Sequence, residues 1–206
     1  MNRTAATLLV LILVVFGSFV PGQETAPSPA SPSRPLARYT PTVRLIEESM
    51  PSVASIQTVQ EAGPGAFQMG VGSASVIHED GYLLTNEHVL SRMRQGQVIL
   101  PDHPPLEFRV VARMSSEDLA LIKVDADRPL KAIRMGRSDD LMLGEPVLTI
   151  GNPGGLVHSV STGIVSGLDR STAVGATFLP MMIQTSAAVS GGNSGGPLIN
   201  ALGHQI

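Results

Sequence analysis

The chain has 206 residues and a formal net charge of −3, with 43% hydrophobic and 15% charged residues, enough apolar material for a sizeable core and against global disorder. Cysteine and tryptophan are absent and aromatics make up 3%. That excludes disulfides, thiolate metal sites and a cysteine nucleophile, and with this charge balance no nucleic-acid partner is expected.

The N-terminus reads as an export segment. Arg3 gives a positive start, and the stretch from Leu8 to Val20 is almost wholly apolar. Residues 1–22 therefore have the layout of a secretory signal peptide, with cleavage after Gly22. An uncleaved signal anchor, attached to a membrane through residues 4–22, is the alternative. Residues 23–41 are rich in Pro, Ser and Ala and read as an extended linker. The folded domain is expected over residues 42–206.

That domain is expected to be all-β. The 21 Gly and 16 Pro punctuate the chain often enough to favour short strands over long helices. Val43–Glu48 predicts a helical turn or two, ended before Pro51. Short β-like runs follow at Val53–Val59, Met69–His78, Tyr82–Thr85, Gln97–Leu100, Phe108–Arg113 and Leu119–Val124. Asp80-Gly81 supplies a hairpin signal between two of them. A second set comprises Pro146–Ile150, Val157–Gly167, Met181–Thr185 and Pro197–Ile199, with Asn152-Pro153-Gly154-Gly155 as a turn. The break near residues 128–140 suggests two sub-barrels.

Three stretches carry candidate chemistry. In Gly192-Asn193-Ser194-Gly195-Gly196-Pro197, glycines permit a tight loop that exposes the Ser194 hydroxyl and turns backbone N–H groups inward. Taken alone, it also fits a flexible Gly/Ser turn. His88 lies just where an apolar strand ends, and imidazole is suited to taking a serine proton near neutral pH. A lone histidine is more often an ordinary polar residue. Asp118 stands immediately before the run Leu119–Val124 and could orient an imidazole, although a turn aspartate at a strand start is common. Asp125 and Asp127 read as solvated turn residues. Together, His88, Asp118 and Ser194 fall in the chymotrypsin-like chain order.

Here the sequence resembles a known family. Val71-Gly72-Ser73-Ala74-Ser75-Val76-Ile77 and Asp80-Gly81-Tyr82-Leu83-Leu84-Thr85-Asn86-Glu87-His88-Val89 are similar to the histidine motif of the HtrA/Deg family of trypsin-like serine proteases. Asp118-Leu119-Ala120-Leu121-Ile122-Lys123-Val124 resembles its aspartate motif, and Gly192-Asn193-Ser194-Gly195-Gly196-Pro197-Leu198 its serine motif. Ile150-Gly151-Asn152-Pro153 and Ile183-Gln184-Thr185-Ser186-Ala187-Ala188 resemble flanking signatures.

The resemblance implies two antiparallel β-barrels of the chymotrypsin/trypsin type with a catalytic triad between them. Ser194 would be the nucleophile, His88 the general base, and Asp118 the residue that orients His88. The N–H groups of Gly192 and Ser194 would form the oxyanion hole. No metal or organic cofactor is implied. The family further implies an exported, periplasmic or envelope protein of quality control, acting on unfolded or damaged proteins, with homotrimers as the usual assembly. The second barrel is expected to be incomplete, with no PDZ domain after it. The extra glycine, Gly191, is expected to loosen the oxyanion loop. The alternative function is an inactive protease-fold protein that serves as a binding or scaffold module.

Overall fold

The structure is a computed structural model that describes residues 38–152, 158–174 and 177–206. The expected signal segment, nearly all of the linker and most of the turn after Asn152 lie outside the described residues. Helix α1 (Pro41–Ser49) opens the described chain. It begins earlier than expected and takes in Pro41, which had been assigned to the linker. Proline is pre-organised for a first helical turn, and the Thr40 side chain caps it by accepting from Val43 N–H at 3.3 Å. No helix among the described residues is long and apolar enough to cross a membrane.

Six strands follow: β1 (Val53–Gly63), β2 (Ala66–His78), β3 (Tyr82–Asn86), β4 (Met93–Ile99), β5 (Leu106–Met114) and β6 (Leu119–Val124). They close into an antiparallel barrel in the order β1-β2-β3-β6-β5-β4. Closure leaves this sheet without a free edge. β6 has the bounds the sequence predicts, because its side chains alternate cleanly: Ala120, Ile122 and Val124 are buried, whereas Leu119, Leu121 and Lys123 are not. Ile56, Val76, Leu83, Val98 and Ile122 fill the same interior. Each contributes roughly 1.5–3 kcal/mol by leaving water. At the Asp80-Gly81 hairpin, Gly81 has φ +91°, and a Cβ there would strike the Val124 carbonyl.

The second sheet comprises β7 (Arg134–Met135), β8 (Pro146–Gly151), β9 (Ser159–Val174), β10 (Thr177–Thr185), β11 (Leu198–Asn200) and β12 (His204–Gln205). Its order is β10-β9-β8-β11-β12-β7, curled as a half-barrel. All pairs are antiparallel except β12 with β7, which runs parallel. Val53, Ile133, Leu148, Ile150 and Ile199 form its core, and Leu45 and Ile46 of α1 pack on it. The all-β double-barrel expectation, with a second barrel that does not close, therefore holds. β1 is the seam: Val53 belongs to the second core and Ala54 and Ile56 to the first.

Candidate active site

β3 ends at Asn86, and a single 3-10 turn, Glu87–Leu90, carries His88. Val89 and Leu90 bury themselves in the first core, and the preceding His88 ring faces out, 56% exposed. Asp118 sits one residue before β6, in a left-handed conformation with φ +52°. Its register is fixed because β3 and β6 pair through Asn86 and Leu119.

The aspartate holds the histidine turn through both its backbone and its side chain. His88 Nδ1 lies 2.7 Å from Asp118 Oδ2, and His88 N–H donates to Asp118 Oδ1 at 2.9 Å. The Asp118 carbonyl accepts from Glu87 N–H at 3.1 Å and from Asn86 Nδ2 at 2.8 Å. An ionised carboxylate can only accept, so in the neutral ring this contact assigns the proton to Nδ1 and leaves Nε2 as the acceptor. Arg113 pairs with Glu87 at 2.6 Å and steadies the residue beside His88.

Ser194 comes from the second sheet, on the turn that leads into β11. Asn193 N–H donates to Ser190 O at 3.0 Å, and Gly196 N–H to Asn193 O at 2.8 Å. Gly192 and Gly195 take positive φ, +99° and +83°. Three bonds fasten this turn to the first barrel. Ser73 N–H donates to Ser194 O at 2.8 Å, Ser73 Oγ to Gly192 O at 2.8 Å, and Gly195 N–H to Asn86 Oδ1 at 2.6 Å. Gly195 meets β2 and β3 so closely that a Cβ would overlap the Ser73 carbonyl and Thr85 Oγ1. Behind them, Asn152 N–H donates to Ser73 Oγ at 3.0 Å and Asn152 Nδ2 to Ser55 Oγ at 2.5 Å.

The structure thus brings His88 and Asp118 into direct contact and docks the Ser194 turn beside them. It forms no hydrogen bond between Ser194 Oγ and the His88 ring; such bonds commonly tighten only when substrate binds. Among the described residues, the N–H groups of Gly192 and Ser194 donate to no acceptor, whereas the Gly192 carbonyl is taken up by Ser73. Asp125 and Asp127 stand apart, both highly exposed. A hydrogen bond from Lys123, and then its charge, holds the Asp125 carboxyl below its ordinary value. No group of three or more metal-ligating side chains occurs among the described residues. Sequence reasoning missed Asn86 as a polar bridge; its place at the end of the histidine strand was the one available signal.

The chain is similar to known proteins. Residues 72–206 match the family described as the trypsin-like peptidase domain. The chain is 38% identical over 175 residues to Protease Do-like 1, chloroplastic, of Arabidopsis thaliana, covering 80% of this chain and 40% of that protein. It is 43% identical over 136 residues to a probable periplasmic serine endoprotease DegP-like of Pseudomonas fulva, covering 66% of this chain and 28% of that one. The chain therefore spans well under half the length of these relatives. Among solved structures, the HtrA-type protease AlgW with a tripeptide superposes with TM-score 0.71 at 35% identity, covering 80% of this chain and 52% of that one. The crystal structure of Deg5 gives TM-score 0.70 at 31% identity, covering 81% and 82%.

Proposed function

Because this chain belongs to the trypsin-like peptidase domain family and has DegP/HtrA homologues, we propose that it is a serine endopeptidase acting through Ser194, His88 and Asp118. The observation that carries the reading is the His88 Nδ1–Asp118 Oδ2 contact of 2.7 Å beside a Ser194 turn docked on the same barrel. Asp118 keeps the proton on Nδ1, so Nε2 can take the Ser194 proton as Oγ attacks the substrate carbonyl. The Gly192 and Ser194 N–H groups receive the developing oxyanion, a contribution of about 3–4 kcal/mol per donor where one has been removed elsewhere. His88 then protonates the leaving amine, and water repeats the sequence on the acyl-enzyme.

The substrates are unfolded or damaged proteins of the cell envelope. The names of the periplasmic relatives support an exported, periplasmic setting. Residues 1–22 act as a signal peptide or anchor and residues 23–40 as a spacer, and the assembled form is a homotrimer. The scaffold reading has no observation in its favour. Incubation of the protein with a permanently unfolded polypeptide and with its folded parent tests the proposal. Cleavage of the unfolded chain alone, lost in Ser194→Ala, is expected. Equal cleavage by wild type and Ser194→Ala would contradict it.

A further inference from the structure

Asn86 connects the two halves of the site. Its Nδ2 donates to the Asp118 carbonyl at 2.8 Å, and its Oδ1 accepts from Gly195 N–H at 2.6 Å. One planar amide therefore links the turn before β6, in the first barrel, to the turn before β11, in the second sheet. Both partners sit at positive φ, +52° at Asp118 and +83° at Gly195. Neither turn is held in that conformation by a regular ladder, so a side-chain bond from a fixed strand end can set its position. Asn86 is such a point: it pairs with Leu119 in the β3–β6 ladder.

From this geometry we propose that Asn86 is a positioning residue, whose side-chain amide sets the Ser194 turn relative to the Asp118–His88 pair. The proposal rests on the proposed serine-protease reading of the site. The amide is suited to the task because it offers a donor and an acceptor on opposite arms of one short rigid group. Aspartate keeps the acceptor for Gly195 N–H but sets an oxygen against the Asp118 carbonyl. Leucine matches the shape and supplies neither bond. The Asp118 carbonyl would still receive Glu87 N–H at 3.1 Å. Gly195 N–H, immediately after the nucleophile, would lose its partner.

The test compares wild type, Asn86→Leu and Asn86→Asp in the full chain. A fluorophosphonate probe reads the rate of Ser194 labelling and the reversible affinity for the probe. The low-field proton signal of His88 Nδ1–H and the exchange rate of the Gly195 amide read the geometry without needing activity. Asn86→Leu is expected to label on the order of 10²-fold more slowly, because a displacement of about 1 Å at a reacting atom has that effect. Its probe affinity should stay close to wild type, its Gly195 amide should exchange faster, and its His88 proton signal should shift. Asn86→Asp should slow labelling less, and it carries the comparison if Asn86→Leu does not fold. Labelling of folded variants within threefold of wild type would overturn the proposal. If wild type itself is not labelled, the protease reading fails instead, and the two spectroscopic readouts decide the role of Asn86. Unchanged signals in folded variants would overturn it, and changed signals would support it.

Discussion

Ser73 Oγ donates to the Gly192 carbonyl at 2.8 Å across 119 residues of sequence, and both residues are buried. The same hydroxyl accepts from Asn152 N–H at 3.0 Å. One small side chain thus ties the turn that carries Ser194 to β2 and to the segment after β8. Ser73→Ala would leave the buried Gly192 carbonyl and Asn152 N–H with only their long bond to each other, 3.4 Å, at a cost of about 1 kcal/mol. A lower urea midpoint with an unchanged denaturant slope, together with slower fluorophosphonate labelling, is the expected result. An unaltered midpoint would show that the fold does not depend on this hydroxyl.

Gly195→Ala is expected to abolish labelling. A Cβ there would overlap the Ser73 carbonyl and Thr85 Oγ1 and lie 3.0 Å from Asn86 N, and φ +83° already disfavours any side chain. The Ser194 turn would have to leave the first barrel. The first barrel's own core does not include this turn, so circular dichroism should still report β structure. Labelling at the wild-type rate would contradict the docking described for the turn.

Asp118→Asn would replace two accepting oxygens by one oxygen and one donor. The amide can then stabilise the wrong ring tautomer, which puts a proton where His88 must accept one. The equivalent change in a well-studied serine protease lowers turnover about 10⁴-fold. A loss of that order in the cleavage rate, with little change in KM, is expected here. A loss of less than tenfold would show that Asp118 does not govern the His88 tautomer.

Gly191 presents the opposite case. A Cβ at this position would meet nothing within 4 Å, and its φ is not among the positive values. Gly191→Ala should therefore reduce the freedom of the unfolded chain without strain in the folded one, a gain of about 0.4–1 kcal/mol. A raised denaturation midpoint with labelling retained is expected. A lowered midpoint would mean that the loop needs glycine here.

How much of this was legible in the sequence differs from element to element. β6 was readable to the residue because a nearly unbroken apolar run is bounded by Asp118 on one side and Asp125 on the other. β4 was foreseen only from Gln97 onward. Its first half, Met93 to Gln95, is largely polar and is strand because β1 pairs with it. β7 and β12 are two residues each and take their form from parallel pairing with one another, which leaves no local pattern to read. The motif residues His88, Asp118 and Ser194 stood out because glycines and apolar strands frame them. Asn86 and Ser73 did not. Their roles depend on partners 109 and 119 residues away, and a single polar residue does not announce a bond of that range.

The most direct test of the central claim is covalent labelling of the purified protein with a fluorophosphonate, beside Ser194→Ala, with the modified residue located by peptide mass mapping. An activated serine reacts without any need for a known substrate. One phosphonyl group per chain, on Ser194, and none on Ser194→Ala is the predicted result. A protein folded by circular dichroism that takes up no label, or takes it up equally in both forms, would contradict the serine-protease account.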